Sequence, residues 1–248
     1  MANLRALLYT DAATFQYSNL REFVVGHSTN TPSNGGCCCQ WTVPAGTAYI
    51  KFEIWGGGGG GGGACCCMMG HPGYSGSYGI KTLTGTQVVV GAVYTICAGG
   101  SSAVSSTNAG CGGFTSYVNG TNLSNFCACG GFFGCTNCCA WAGNCQQCAQ
   151  CFYQGGAFGA DLCIYGTCGA SNITMYCFNQ GQQWAPVAAG TVSGPVFGPS
   201  GCSCTGYGES SLCAPVFPGG GGFAAQVYAG GCKCGYHGAG GAVSVTYG

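Results

Sequence analysis

The chain predicts a mainly β protein. Short antiparallel strands alternate with extended, polyglycine II-like segments and many irregular loops, with almost no helix and with cysteine crosslinks. Three observations carry that expectation. Tyr49-Ile-Lys-Phe-Glu-Ile-Trp55 alternates with the period of a half-buried strand and runs directly into eight glycines, Gly56–Gly63, and then Cys65-Cys66-Cys67. The 248 residues include 51 Gly and 24 Cys, but only five basic and five acidic side chains. With so few Leu, Lys, Glu and Arg residues, almost no stretch joins helical periodicity to good helix formers.

Composition narrows the function classes. Formal net charge is zero and the five basic residues are scattered, so the chain lacks the clustered Lys and Arg that neutralise phosphates or engage an anionic membrane. No stretch approaches a membrane-spanning helix. Disordered chains pair low hydrophobicity with high net charge, whereas this one has 13 Phe, 14 Tyr and 4 Trp, which favour compaction. No sustained Gly-X-Y period exists, which excludes collagen. In Met1–Ala12, Arg5 interrupts Leu4, Leu7 and Leu8, and Asp11 follows, so no signal-peptide core forms. A cysteine-rich chain without an export signal fits a particle protein made in a reducing cytoplasm and oxidised after release.

Along the chain, residues 1–36 contain no cysteine and hold Arg5, Asp11, Arg21 and Glu22, four of the few charges. They are expected to form a separate attachment or oligomerisation segment, with short strands or a brief helix at Leu4–Tyr9 and Phe23–Val25, ending in the turn-forming Thr31–Gly36. Residues 37–248 form the glycine- and cysteine-rich β domain. Pro44-Ala-Gly46 turns the chain into the strand Tyr49–Trp55. There Ile50, Phe52 and Ile54 face one way, while Lys51 and Glu53 face the other and are expected to line a solvated surface. Tyr78–Leu83 and Gln87–Ile96 read as strands joined by a Thr84-Gly85-Thr86 turn. Residues of about 97–239 form an irregular middle, with short strands at Phe114–Val118, Asp161–Tyr165 and Ile173–Phe178. Val243, Val245 and Tyr247 alternate with Ser244 and Thr246 in a closing strand.

These pieces occur in a recognisable order: Trp41-Thr-Val-Pro-Ala-Gly46, Phe52-Glu-Ile-Trp-Gly56 with the glycine run, Val88-Val-Val-Gly-Ala-Val-Tyr-Thr-Ile-Cys-Ala-Gly-Gly100, Gly112-Gly-Phe-Thr-Ser116 and Gly241-Ala-Val-Ser-Val-Thr-Tyr247. Over roughly residues 41–248, the order resembles the glycine-rich domain of bacteriophage tail fibres and fibre adhesins. The resemblance implies a virion protein that associates with other virion proteins and with its own copies, a trimer by the habit of fibres. It implies no choice between fibre tip, other fibre segment and capsid decoration. The cysteine load departs from the family's pattern.

Polyglycine can form an extended threefold helix without internal hydrogen bonds, whose backbone groups are free to bond neighbours. Ordering such a run costs roughly 1–2 kcal/mol per residue, so it needs lateral partners. The candidates are Gly56–Gly63, Gly219–Gly222 and the Gly230–Gly241 region. Disulfides contributing about 2–4 kcal/mol each would offset part of that cost. Cys37, Cys38, Cys39, Cys65, Cys66 and Cys67 flank one strand, and Cys202/Cys204 and Cys232/Cys234 form CxC pairs whose side chains share a face when extended. These ten are the disulfide candidates, with connectivity open.

Zinc is the alternative to disulfides. Cys135-x2-Cys138 and Cys145-x2-Cys148 have ligand-dyad spacing, with a spacer shorter than a zinc ribbon's. Cys145, Cys148 and Cys151 match three ligands of an iron–sulfur run that lacks its fourth. The main expectation has no cofactor and no metal.

Little supports catalysis. Asp11, Glu22, Glu53, Asp161 and Glu209 are dispersed, and His27, His71 and His237 sit in Gly- or Pro-rich surroundings, where a surface or packed histidine is the plain reading. The glycine run matches a phosphate-loop pattern only formally, since no βαβ unit follows. Asn119, Asn122 and Asn172 open glycosylation sequons, which a phage protein would carry by chance. Trp141, Tyr153, Trp184, Phe197, Tyr207 and Phe217 sit among turns and glycines. They either contact a host glycan or surface protein or fill a core short of aliphatics. The expected function is a non-enzymatic virion protein, a tail fibre or adhesin component contributing to host attachment. A decoration or cement protein and a zinc-binding domain are the alternatives.

Overall fold

The computed structural model describes residues 21–26, 36–65, 68–102, 111–135, 139–140, 155–167, 217–222 and 232–248. Their strands are β1 (Arg21–Gly26), β2 (Cys37–Thr42), β3 (Tyr49–Trp55), β4 (Ala64–Cys65), β5 (Met68–Met69), β6 (Tyr78–Thr84), β7 (Val93–Ala98), β8 (Ser116–Gly120), β9 (Leu123–Ala128), β10 (Cys139–Ala140), β11 (Ala157–Phe158), β12 (Leu162–Ile164), β13 (Cys232–Lys233) and β14 (Ala242–Tyr247). Among the described residues the only helical element is a 3-10 turn at Gly85–Gln87.

Two five-stranded antiparallel sheets form a sandwich. One has the order β1-β14-β3-β6-β12 and the other β11-β9-β8-β7-β2. Period-2 alternation sends one side of each strand inward. Ile50, Phe52 and Ile54 of β3, Leu83 of β6, and Val243 and Val245 of β14 meet Trp41, Tyr94, Ile96, Val118, Leu123 and Phe126 from the facing sheet. Phe52 and Tyr94 pack at 5.2 Å between ring centroids, and Trp41 packs on Tyr247 at the same separation. Each fully buried Ile or Phe contributes about 1.5–3 kcal/mol of burial free energy. Strands distant in sequence thus share one core: β14 pairs with β3 from Ala242↔Trp55 to Tyr247↔Ile50, and β1 pairs with β14 from Arg21↔Tyr247 to Gly26↔Ala242. Residues 21–26 of the expected N-terminal segment therefore form part of this sheet.

Three expectations change. The strand expected at Gln87–Ile96 begins only at Val93, because Gly91 holds φ +79° in a turn that leaves Val89 and Val90 exposed. The expected turn after Thr84 tightens into the 3-10 turn. Glu53 is not solvated: it is 6% exposed on the outer side of its sheet, where Tyr78 Oη donates to Oε1 at 2.6 Å and Lys51 Nζ pairs with Oε2 at 2.6 Å. A buried carboxylate persists only with such donors. The apolar cluster of Trp55, Tyr78 and Ala242, with Ile80 and Phe217 packed on it, lies beside them.

Candidate functional site: a hydrogen-bonded glycine bundle

β3 does not end in a loop. Gly56, Gly59 and Gly62 donate their N–H groups to the carbonyls of Ser77, Tyr74 and His71, each at 2.9 Å. Gly57 and Gly60 donate to Phe114 and Cys111 at 2.9 Å, and Gly58 and Gly61 donate to Ala239 and Tyr236 at 2.8 Å. Each step of three along the run meets a step of three back along the acceptor. Three antiparallel chains thus share the donors in rotation, the periodicity of a threefold extended helix of polyproline II type. Between them lie chains that use the other side of the run. Gly131 and Gly134 donate to the carbonyls of Gly57 and Gly60, and Gly222 donates to that of Gly59, all at 2.8 Å.

The surrounding chains also bond to one another. His71, Tyr74 and Ser77 donate to Cys135, Phe132 and Cys129 at 2.9 Å, again in steps of three. Gly113 donates to Gly131, Phe114 to Gly100, Gly241 to Gly99, Ala239 to Gly220 and Gly73 to Gly222. The ring closes as 71–77, 129–135, 111–114, 99–102, 236–241 and 219–222 around a central run, Gly56–Gly63, that is buried throughout.

Glycine is required by proximity. A Cβ on Gly58, Gly59 or Gly62 would lie inside 3.0 Å of the carbonyl oxygen of Gly220, Phe132 or Cys135. The neighbours present glycine to the run at every third position. Gly70, Gly73 and Gly76 abut the carbonyls of Gly62, Gly59 and Gly56, while Gly235, Gly238 and Gly241 abut those of Gly61, Gly58 and Trp55. This short period-three spacing is the signal that would have located the partners of the run. Of the candidates, Gly219–Gly222 and, from the Gly230–Gly241 region, Gly235, Gly238 and Gly241 are among them.

Serine joins bundle and sandwich. Gly99 N–H donates to Ser116 Oγ at 2.7 Å, and Ser116 Oγ donates to the Trp55 carbonyl at 2.6 Å, all at a fully buried position. Ser77 Oγ reaches the carbonyls of Cys129 and Gly156 at 3.0 and 3.1 Å, and Gly238 N–H donates to Ser102 Oγ at 3.1 Å. A hydroxyl on one carbon supplies both hydrogen-bonding roles with little bulk. At the end away from the sandwich, level with Gly60–Gly62, lie His71, Cys111, Cys135 and Tyr236. His71 is buried and stacks on Tyr74 at 5.8 Å.

The cysteines divide. Cys38 bonds Cys97, directly opposite on β7 and 59 residues away. Cys97 was not among the candidates. Cys232 is also disulfide-bonded and stands opposite Cys65 in the β4–β13 ladder. Cys37, Cys39 and Cys234 carry free thiols, as do Cys111, Cys127, Cys129, Cys135 and Cys163. Burial pushes the Cys39 thiol up, with Cys37 beside it adding to the shift. Burial also raises Cys129, reinforced by Cys127 and Cys163. Such thiols are poor nucleophiles, because the thiolate is the reactive form. Cys66, Cys67, Cys202 and Cys204 lie outside the described residues.

Of the zinc alternative, Cys135 is half-buried, while Cys138, Cys145 and Cys148 lie outside the described residues. Among the described residues, no group of three or more His, Cys, Asp or Glu side chains could hold a metal ion. Trp141, Tyr153, Trp184, Phe197 and Tyr207 also lie outside them. Phe217, one of the receptor-contact candidates, packs against the Trp55–Tyr78 cluster, in keeping with the alternative that it fills the core. Among the described residues, the exposed large apolar side chains are others: Val89, Val90 and Val93 before and at the start of β7, Phe114, Phe132 and Phe133 on the bundle, and Phe158, Leu162, Ile164 and Tyr165 at the β11–β12 edge. What the arrangement offers chemically is a frame of extended chains held by uncharged backbone groups. A scan against protein-family models found no match, and a search of the curated proteins found none either.

Proposed function

We propose that the chain is a bacteriophage virion protein, a tail fibre or adhesin component that contributes to attachment at the host surface. The closed glycine bundle built onto the end of a β-sandwich supports this reading above all. Six chains around a central one would give a stiff projection, and the rest of the chain would serve assembly with other virion proteins or other copies. The chain's fibre-like motif order supports the same role. Uncharged backbone pairing holds the projection, so its shape is insensitive to salt.

Gold-labelled antibody against the chain, applied to intact particles, is expected to mark fibre ends. Cells preincubated with the purified chain are expected to adsorb fewer particles. Label spread over the shell, with adsorption unchanged, would overturn the adhesin role and favour a decoration protein.

A further inference from the structure

Asn119, Asn122 and Asn125 lie in one stretch at the β8–β9 hairpin, and all three are exposed. Two of them open the sequons Asn119-Gly-Thr121 and Asn122-Leu-Ser124. Their surroundings differ. Asn122 and Asn125 hold left-handed φ values of 60° and 58°, and Asn122 Nδ2 donates to the Gln87 carbonyl at 3.1 Å. Asn119 alone of the three is followed by glycine, and the fold dictates that glycine. A Cβ on Gly120 would run into the ring of Tyr94, which is fully buried and held by Tyr94 Oη donating to the Thr121 carbonyl at 2.8 Å. No side chain can therefore stand at position 120 to shield the peptide nitrogen that follows Asn119. The β8–β9 ladder also shifts register between Val118 and Gly120, next to this bond.

We propose that Asn119 is a self-modification site, converted without an enzyme to aspartate and isoaspartate. The Gly120 backbone nitrogen attacks Asn119 Cγ and loses its proton. The Cγ–Nδ2 bond breaks, the amide nitrogen leaves as ammonia, and a cyclic succinimide remains. One water molecule then opens the ring at either carbonyl, giving Asp from one opening and isoaspartate from the other. No electrons are transferred. The product adds one negative charge to a chain whose formal net charge is zero. The isoaspartate product also lengthens the backbone by one carbon between the pairs Thr95↔Asn119 and Gly120↔Leu123. Nothing in this chemistry depends on the virion role.

The test uses the full chain, incubated at mildly alkaline pH and cleaved after aromatic residues. Cleavage after Tyr117 and Phe126 places all three asparagines in one peptide, where fragmentation locates the change. Asp and isoaspartate are expected to accumulate at position 119 with time, while Asn122 and Asn125 stay intact. Asn119→Gln is expected to leave the peptide unconverted, with an unaltered melting curve confirming the fold. Conversion at Asn122 or Asn125 ahead of Asn119, an Asn119 that remains amidated throughout, or a sugar on its amide nitrogen would each overturn the proposal.

Discussion

Gly59→Ala separates a packed glycine bundle from a tether by the sign of its effect. In a flexible linker, alanine would stabilise the protein by about 0.4–1 kcal/mol through the unfolded chain. Here the new methyl would lie inside 3.0 Å of the Phe132 carbonyl oxygen, with the carbonyls of Phe132 and Gly131 the nearest atoms, so backbone must move. Movement threatens two hydrogen bonds, Gly59 N–H to Tyr74 O at 2.9 Å and Gly222 N–H to Gly59 O at 2.8 Å. Overpacking costs about 1–3 kcal/mol, and each of the two weakened hydrogen bonds adds roughly 0.5–1.5, giving a loss of about 2–6 kcal/mol. For a chain of this size, that lowers Tm by roughly 4–24 °C. Gly112→Ala is the control, because its nearest contact would be an ordinary 3.6 Å to the Gly131 carbonyl. Urea unfolding followed by tryptophan fluorescence measures both variants. If Gly59→Ala unfolds within about 0.5 kcal/mol of the wild type, a typical surface-substitution effect, the run is not packed as described and the reasoning fails.

Three further outcomes follow from the same geometry. Ser116→Ala removes the acceptor of the Gly99 N–H and a donor to the Trp55 carbonyl at a buried position, and is expected to lower stability by about 2–4 kcal/mol in a denaturant titration; Ser116→Thr, which keeps the hydroxyl, should lose less. Replacing Cys38 and Cys97 together by serine removes a crosslink between residues 59 apart, with an expected loss of about 2–4 kcal/mol, and mild reductant should lower the melting temperature of the wild type but leave that of the double variant less affected. Burial pulls the Asp161 carboxyl up, but the hydrogen bond from Lys81, the Thr82 N–H and the Lys81 charge outweigh it and hold the group below the usual carboxylate range. Its folded form is the depressed one, so its contribution is present above the unfolded carboxylate range and is lost as pH falls through the folded value. Asp161→Asn should flatten that acid limb, and amide exchange along β12 should rise.

Local features of the chain were legible where alternation settles them. The strand at Tyr49–Trp55 and the closing strand through Tyr247 follow from side chains that must take opposite faces. The need of Gly56–Gly63 for lateral partners was equally legible, since so costly an ordering requires them. The partners were harder to read. Gly70, Gly73 and Gly76 carry their signal at a spacing of three among ordinary residues, over too few repeats to stand out. For Phe217 the choice between a host contact and a core filler stays open on sequence, because nothing local shows that Trp55 and Tyr78 lie beside it. The sequence makes Cys38 a disulfide candidate but does not single out Cys97, because the pairing depends on the β2–β7 register.

By itself, the amino-acid sequence determined the class of this protein: β-rich, of zero formal net charge with few charged side chains, and dependent on glycine packing. Each of those properties is a sum over residues or a pattern within a few of them. Only the tertiary structure decided which six chains surround the glycine run, that Glu53 is buried beneath Tyr78 and Lys51, and that Ser116 ties sandwich to bundle. The physical reason lies in the backbone. N–H and C=O groups are the same in every residue, so a hydrogen bond from Gly58 to Ala239 leaves no mark on either side chain and appears only once the core has brought β3 and β14 together.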